Sequence, residues 1–393
     1  MKKNCKICSK KFSFKLSLGK HPCADTFLKN KNNAKNLRKI PLVVGYCGCS
    51  HLTALYPVPQ KERYQKYDYS YTSDNSPVSR LHFKNIANQI TKKYNLNSNK
   101  FVVEAGSNDG TFLKCIRNAS RAKTLGVDPS INMNKLANRK KISTFTGFFN
   151  FETSKKVVKK FGKADILYGA NVFNHIDDNL NFLVGAYNLL KNDGRLILEV
   201  PDLNSLVRSV GFDTIYHEHR HYYSEKSIHK ILALKNFYVF KVEKINYMSG
   251  SLRIYASKKI VKKKRALSYV SKKEFLDFKK KILIVIKTIK KFVEQNKKNN
   301  QIVYGIGAAT KGNTLLNCCS FSEKHIDYIL EKSRHKINKY TPGSAIKIVD
   351  EKNYNYDGAC IILPWNITKH LKKNFEKNKI TKYTSIQKII KSL

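Results

Sequence analysis

The chain has 393 residues, of which 41% are hydrophobic, so it is long enough to bury two or three cores. It has no run of about 18 apolar residues and no apolar segment behind its basic start, so we expect a cytoplasmic protein without a membrane span or secretory signal. The net charge of +47 would suit nucleic-acid binding, but lysine is scattered along the whole chain beside abundant Asn, Ile, Phe and Tyr, which favours biased composition over a specific nucleic-acid site.

Residues 1–60 are predicted to form a small metal-binding module. The cysteines come in tight pairs, Cys5 with Cys8 and Cys47 with Cys49, and the chain has an odd total of nine. This pattern argues against a disulfide scaffold and favours metal ligation. The segment between the pairs is short and polar, so a metal would have to hold it together.

Residues 61–99 read as a Tyr-rich arm followed by a helix, with Ser79 as the predicted cap. Residues 100–260 then alternate strands and helices. This rhythm predicts a doubly wound parallel sheet. The predicted strands cover 101–104, 124–127, 165–167 and 195–200, with a helix at 179–190.

A long helix over 271–296 is predicted to connect two domains within residues 261–300. Ser271 and Glu274 form a capping box, and an apolar stripe follows at helical spacing. Residues 301–393 restart the strand–glycine–helix pattern, which indicates a second, smaller α/β domain. The fold class is therefore α/β with three units.

The turn from Glu104 to Gly110 follows a strand and precedes a helix. Glycines let the backbone approach a ligand, and the helix start supplies N–H donors. Asp128 ends the next strand, where an acid can bind the two hydroxyls of a ribose. Because the full dinucleotide fingerprint is missing, the pattern favours another nucleoside cofactor, although an ordinary tight turn is the alternative.

Three His, one Glu and three Tyr fall within the eight residues 216–223. A His can act as a general base near neutral pH, and a neighbouring Glu can orient it. A zinc site, a solvated polar strand and core histidines satisfied by hydrogen bonds are the alternatives. Asn171 and His175 follow another strand, at the edge where open sheets bind ligands, although a helix start capped by Asp177 is the alternative.

A second glycine motif runs from Gly305 to Asn313 and includes Gly307 and Lys311. Backbone amides and a lysine suit a diphosphate, while a structural turn between strand and helix is the alternative.

Taken together, these motifs resemble those of the sugar C-methyltransferases of deoxysugar biosynthesis. The matching segments, in order, are EAGSNDGT from Glu104, GVDPS from Gly126, NVFNH from Asn171, FDTIYHEH from Phe212, SGSLR from Ser249, GIGAATKGN from Gly305 and LPWN from Leu363. The resemblance covers nearly the whole chain. It implies an N-terminal zinc-binding domain, a central Rossmann-like methyltransferase domain and a C-terminal Rossmann-like domain.

The resemblance also implies a role for each matching residue. His219 would remove the proton from the sugar carbon, with Tyr216, Glu218, His175 and either Tyr69 or Tyr71 around the sugar. Gly305, Gly307, Lys311 and Asn313 would hold the nucleotide, and Cys5, Cys8, Cys47 and Cys49 would bind zinc. The S-adenosylmethionine pocket would be lined by Glu104, Gly106, Ser107, Asn108, Gly110, Asp128 and Asn171.

Two departures from the family pattern stand out. The second cysteine pair has one intervening residue instead of two, so His51 or Cys23 is a candidate replacement ligand. The second departure is the segment Met248-Ser249-Gly250, in which the family tends to have paired glycines.

The implied reaction is S-adenosylmethionine-dependent C-methylation of a nucleotide-linked ketodeoxysugar, at a carbon next to the ketone, by a monomer or homodimer. The neighbouring ketone makes the C–H bond acidic enough for His219 to form an enolate. A methyltransferase for a hydroxyl or non-sugar acceptor is one alternative. A nucleic-acid-binding protein that uses the basic charge is the other.

Overall fold

The computed structural model describes residues 4–65, 71–74, 76–260, 266–354, 356–368, 380 and 382–393. Its strands are β1 Phe14–His21, β2 Ile40–Cys47, β3 His51–Ala54, β4 Phe101–Ala105, β5 Lys123–Asp128, β6 Thr144–Thr146, β7 Ala164–Ala170, β8 Leu190–Pro201, β9 His221–Tyr223, β10 Tyr238–Ile245, β11 Ser251–Ser257, β12 Val303–Ile306, β13 Tyr328–Glu331, β14 Ile348–Asp350, β15 Ala359–Ile362 and β16 Tyr383–Thr384. Its α-helices are α1 Lys31–Lys35, α2 Gln60–Tyr64, α3 Pro77–Lys93, α4 Thr111–Ser120, α5 Ile131–Arg139, α6 Phe151–Phe161, α7 Asn179–Leu189, α8 Leu203–Arg208, α9 Glu225–Ala233, α10 Lys272–Lys298, α11 Thr310–Cys318 and α12 Ile386–Lys391. Short 3-10 helices occupy Phe212–Thr214, Glu351–Asn353 and Trp365–Ile367. None of the helices in these ranges combines the length and apolar character needed to cross a bilayer.

A seven-stranded sheet carries the strand–helix alternation in the middle of the chain. Its order is β10-β11-β8-β7-β4-β5-β6, and the five strands from β8 to β6 run parallel. The predicted doubly wound α/β fold is confirmed. The antiparallel strands β10 and β11, which extend this sheet beyond β8, were not part of the prediction.

Two helix starts differ from expectation by a few residues. Ser76, not Ser79, caps α3 by accepting the N–H of Ser79 at 3.2 Å, and Pro77 occupies the first turn, where its missing N–H costs nothing. Asp178, not Asp177, caps α7. Asp177 instead forms ion pairs beside the candidate site.

The polar sequence of the N-terminal segment predicted a separate module held together only by a metal. The structure differs from this prediction. Strands β1, β2 and β3 form a four-stranded sheet with β9, which lies next to the Tyr-His-Glu-His motif. Leu16, Val44 and Leu52 from this sheet also enter a large shared core. Tertiary packing therefore contributes to holding this segment.

The long helix α10 is more than a connector between domains. Its predicted apolar stripe is buried, and the capping box of Ser271 and Glu274 is present. The stripe packs in one core with residues of the N-terminal sheet and of the C-terminal sheet, whose parallel strands have the order β14-β13-β12-β15-β16. The predicted second α/β unit is thus confirmed, whereas the boundaries proposed at 60, 99, 260 and 300 stay predictions.

Candidate active site

The chain turns sharply after β4, where the cofactor loop was predicted. Gly106 has φ of 67° and Gly110 has φ of 74°, a region that favours glycine. A Cβ on Gly106 would also lie 2.8 Å from Cγ2 of Val172. The loop can therefore pass close to the segment after β7 only with glycine at this position.

Acidic side chains gather where the parallel strands β4 and β5 end. Asp128 accepts the backbone N–H groups of Asn108 and Ser130 at 2.9 and 2.8 Å, while burial raises its pKa to about 6. Burial also raises the pKa of Glu104, and its Oε2 has no hydrogen-bond partner among the described residues. Asn171 follows β7 and donates its N–H to the carbonyl of Glu199. The predicted cofactor residues thus meet at one edge of the sheet.

The Tyr-rich arm is tied to this loop by the side chain of Asn108. Its Nδ2 donates to the carbonyl of Tyr71 at 3.0 Å, and its Oδ1 accepts the N–H of Ser73 at 2.9 Å. The hydroxyl oxygen of Tyr71 lies 3.4 Å from that of Tyr247. Tyr69, the other candidate, lies outside the described residues. The side chain of Asn108 therefore serves the arm, while its backbone serves Asp128.

Tyr216, His219 and His175, three of the predicted catalytic residues, are brought together. Nδ1 of His219 lies 2.8 Å from the carbonyl oxygen of Thr214, and Nε2 lies 2.8 Å from the hydroxyl of Tyr216. The ring of His175 packs edge-on against that of His219 with 4.7 Å between centroids. Burial lowers the pKa of His219 to about 4 and that of His175 well below its usual range. Both rings are therefore neutral at pH 7.

The other two histidines of this segment have structural partners. Nε2 of His217 lies 3.2 Å from the carbonyl oxygens of His21 and Ile40, and Nδ1 of His221 lies 3.2 Å from Nε2 of His51. The three histidines thus point to different surroundings and do not converge on one metal.

Glu218 lies on the wall of a pocket of about 470 Å³ that the N-terminal segment closes on the other side. Its Oε1 accepts the N–H of Asp25 at 3.0 Å, and its buried Oε2 has no hydrogen-bond partner in the described ranges. Burial raises the pKa of this carboxyl group to about 7. Other residues around the pocket are Pro22, Cys23, Asn33, Arg38, Glu62 and Arg63.

A network of buried charges, which no sequence motif indicated, lies beside these histidines. Arg63 donates to the carbonyls of His175 and Glu218, both at 3.1 Å, and pairs with Asp177 at 2.9 Å. The same oxygen of Asp177 lies 2.8 Å from Nε of Arg220. Arg63 belongs to no motif, and its only sequence signal is a position just before the Tyr-rich arm.

The C-terminal glycine motif is closely packed. A Cβ on Gly305 would lie 2.4 Å from Cδ1 of Ile329, and one on Gly307 would lie 2.8 Å from Cγ of Pro364. Asn313 donates to the carbonyl of Ala24 at 2.7 Å. These contacts explain why the three residues occur here, and their predicted contact with a nucleotide stays a prediction.

Lys311 has a different environment from the glycines. Its Nζ lies 4.0 Å from the centre of the Trp365 ring and 3.5 Å from Oγ of Ser249. Burial lowers its pKa to about 8, although Asp213 is close enough to oppose the shift. In the described part of the chain, no carboxylate lies within ion-pair distance of this ammonium group. Lys311 can therefore receive an anion.

The two cysteine pairs form one compact cluster despite the short second spacing. All four Sγ atoms lie within 4.8 Å of one another, with 3.7 Å between Cys5 and Cys49 and 3.1 Å between Cys8 and Cys47. Sulfurs around a tetrahedral zinc ion are about 3.8 Å apart. Cys23 lines the pocket near Glu218 instead, and His51 only touches the cluster, with Nδ1 3.6 Å from Cys5.

Comparisons with known proteins agree with this arrangement. Residues 79–242 match the model of a methyltransferase domain, and residues 248–384 match that of a C-methyltransferase C-terminal domain. The C-methyltransferase NovU of Streptomyces niveus is 26% identical, over 89% of this chain and 86% of its own length.

Solved structures with some likeness cover about half of the chain. Magnesium protoporphyrin IX methyltransferase of Synechocystis PCC 6803 has a TM-score of 0.37 and 18% identity, over 47% of this chain and 88% of its own. A methyltransferase of Thermotoga maritima, described as a possible histamine N-methyltransferase, has a TM-score of 0.35 and 17% identity, over 46% and 91% of the two chains.

The two domain models match successive parts of the chain, and the relative with the name C-methyltransferase aligns across both. The chain is therefore an S-adenosylmethionine-dependent C-methyltransferase, with a methyltransferase domain followed by a C-methyltransferase C-terminal domain.

Proposed function

We propose that the protein methylates a carbon next to the ketone of a nucleotide-linked deoxysugar, with His219 as the base that removes the proton. The observation that carries this proposal is the hydrogen bonding of His219. Because Nδ1 donates to the carbonyl of Thr214, the neutral ring carries its lone pair on Nε2, at the end where Tyr216 lies.

Around this base, the neighbouring side chains supply what an enolate requires. A ketone makes the adjacent C–H bond more acidic, because the negative charge left after proton removal moves to the ketone oxygen. The bound sugar would have to displace the hydroxyl of Tyr216 from Nε2 of His219, after which that hydroxyl or the ring of His175 would hydrogen-bond the oxygen as the charge develops. Burial keeps water away, so these interactions are stronger than in solution. The negative charge would also raise the low pKa of His219 during proton transfer.

Glu218 is a second candidate for the base. Glu218 lines the pocket, its buried Oε2 has no hydrogen-bond partner among the described residues, and its pKa near 7 suits a general base at neutral pH. The two candidates differ in one observable, because only the true base is required for exchange of the sugar C–H with solvent. In the reading proposed here, Glu218 orients a sugar hydroxyl and His219 performs the exchange.

The cofactor loop fits S-adenosylmethionine. When bound, this group supplies an electrophilic methyl group on sulfur. The buried, unpartnered Oε2 of Glu104 would accept hydrogen bonds from the ligand, and Asp128 would face its ribose. Asn171, with φ of 53° after β7, would close the pocket from the neighbouring strand. The residues present therefore suit a cationic nucleoside ligand.

For the nucleotide part of the substrate, Lys311 is the residue that fits best. Its ammonium group lies 3.5 Å from Oγ of Ser249, two residues before β11 of the seven-stranded sheet. The turn itself is less suited to phosphate, because Ala308 N–H already donates to Glu331 at 2.7 Å and Thr310 bonds Asp25 at 2.7 Å. We therefore assign the diphosphate contact to Lys311.

We further propose that Cys5, Cys8, Cys47 and Cys49 hold a structural zinc ion. The sulfur separations fit a tetrahedral site, and no replacement ligand is needed for the short second pair. Such an ion would tie the start of the chain to the turn between β2 and β3.

A transfer assay in deuterated water tests the proposed function. The protein would be incubated with S-adenosylmethionine and a panel of nucleotide-linked 3-keto and 4-keto deoxysugars, and products would be read by mass spectrometry and NMR. We expect one methyl group on carbon, and deuterium at the same carbon before transfer. Methyl groups found only on oxygen, or no transfer to any sugar, would refute the ketosugar proposal.

A further inference from the structure

Arg63, near the end of α2, connects three separate segments around the histidine pair. Its side chain is 0% exposed. Nε donates to the carbonyl of Val58 at 3.0 Å, and NH2 pairs with Asp177. NH1 donates to the carbonyls of His175 and Glu218. A single guanidinium thus bonds its own segment, the loop after β7 and the loop before β9.

The two carbonyls belong to the residues that matter most for the geometry of the histidines. His175 carries one imidazole, and Glu218 directly precedes His219, which carries the other. The rings meet edge-on at 4.7 Å, although they lie on different loops. The planar guanidinium presents its donors in a rigid fork, so both carbonyls are held in one plane. The neighbouring Tyr64 adds a contact from its hydroxyl to Nδ1 of His175.

The position of Arg63 also has an electrostatic consequence. Its positive charge lies close enough to lower the pKa of both His175 and His219, in addition to the effect of burial. The other ionisable groups around the rings are Tyr64 on α2, Asp177 and Arg220 beside Arg63, Tyr216 and Glu218 on the segment of His219, and Tyr222 on β9.

We propose that Arg63 is a positioning residue that holds His175 and His219 in the arrangement required for proton removal, with its positive charge close to both rings. This inference rests on the proposed function of the two histidines. A positioning role differs from a purely structural one in its response to lysine at this position. Lysine keeps the positive charge but lacks the planar arrangement of donors, and its presence alone should already slow the reaction. A displacement of about 1 Å between reacting groups can cost roughly 100-fold in rate.

The test compares Arg63→Lys and Arg63→Ala with Arg195→Lys as a control. Arg195 also donates to backbone carbonyls, those of Asp193 and Gly194, but near the start of β8. We expect Arg63→Lys to lower kcat by roughly 10- to 100-fold with little change in KM. The pKa values of both imidazoles, followed by NMR on protein labelled at the histidine rings, should stay near those of the unmodified protein. Arg63→Ala should slow turnover further and raise both pKa values.

Two outcomes would overturn the inference. One is a kcat for Arg63→Lys equal to that of Arg195→Lys. The other is unchanged histidine pKa values in a folded Arg63→Ala protein. If the alanine variant does not fold, the lysine variant still decides the positioning role. If the unmodified protein transfers no methyl group to any ketosugar, the proposed function fails. The NMR titration of the histidine rings and their contacts would still test whether Arg63 positions them.

Discussion

Tyr216 donates its hydroxyl hydrogen to Nε2 of His219 across 2.8 Å. The direction of this bond follows from the other side of the ring, where the carbonyl of Thr214 can only accept. The ring of His219 is therefore neutral, and the lone pair of Nε2 is directed at the hydroxyl of Tyr216.

Replacing His219 by asparagine tests this assignment directly. His219→Asn should lower kcat by roughly 10² to 10⁴, because the proton would have no positioned acceptor. Deuterium exchange at the sugar carbon should fall to the same extent. The exposed His335→Asn serves as the control. If His219→Asn keeps its exchange rate and Glu218→Gln loses it, the base is Glu218 instead.

The raised pKa of Glu218 predicts a pH dependence of stability. Its pKa is about 7 in the folded protein and 4.5 in the reference state, so the folded state binds more protons between these values. Stability should then fall as the pH rises from about 4.5 to 7. In Glu218→Gln this loss should shrink by on the order of 1–3 kcal/mol. Urea unfolding at pH 5 and pH 8 for both proteins measures the difference. An equal pH response in the two proteins would contradict the burial of a titrating carboxyl group at this position.

The charge of Lys311 should determine affinity for the nucleotide diphosphate. Lys311→Met should raise KM for the nucleotide sugar by roughly 10-fold or more, since hydrogen bonds to charged groups contribute about 1.5–3 kcal/mol. Because the pKa of Lys311 is about 8, affinity of the unmodified protein should weaken as the pH rises above that value. The variant should lack this weakening. Competition by a nucleoside diphosphate and by the bare nucleoside, with exposed Lys324→Met as control, measures the phosphate contribution. If Lys311→Met lost the same affinity for the bare nucleoside as for the nucleoside diphosphate, the diphosphate would bind elsewhere.

Metal analysis should find one zinc ion per chain. Cys5→Ser should lose it, whereas Cys23→Ser should keep it because Cys23 lies in the pocket beside Glu218. Removal of the metal should lower the free energy of unfolding by about 4 kcal/mol when free zinc exceeds its Kd by 1,000-fold. Chelation followed by thermal unfolding checks this value. A full complement of zinc in Cys5→Ser would rule out the four-cysteine site.

Much of the fold and part of the site follow from local pattern. The glycines after β4, the acid at the end of β5 and the capping box of α10 are all short-range signals, and each appears where the sequence indicated it. The cluster around His219 also has a local signal, because its aromatic and basic residues are dense along the chain. Sequence motifs alone, however, gave no role to Arg63 and left the two tyrosines of the arm unresolved.

By itself, the sequence determined the α/β alternation, the glycine turn after β4 and the cluster of four cysteines, since hydrophobic periodicity and residue spacing act over a few residues. Only the tertiary structure decided that β9 completes the N-terminal sheet, that Arg63 joins the two histidine loops, and that Asp25 connects Glu218 with Thr310. Those contacts join residues far apart in the chain. They depend on burial, which makes each unpaired polar group costly and so selects partners that no local pattern specifies.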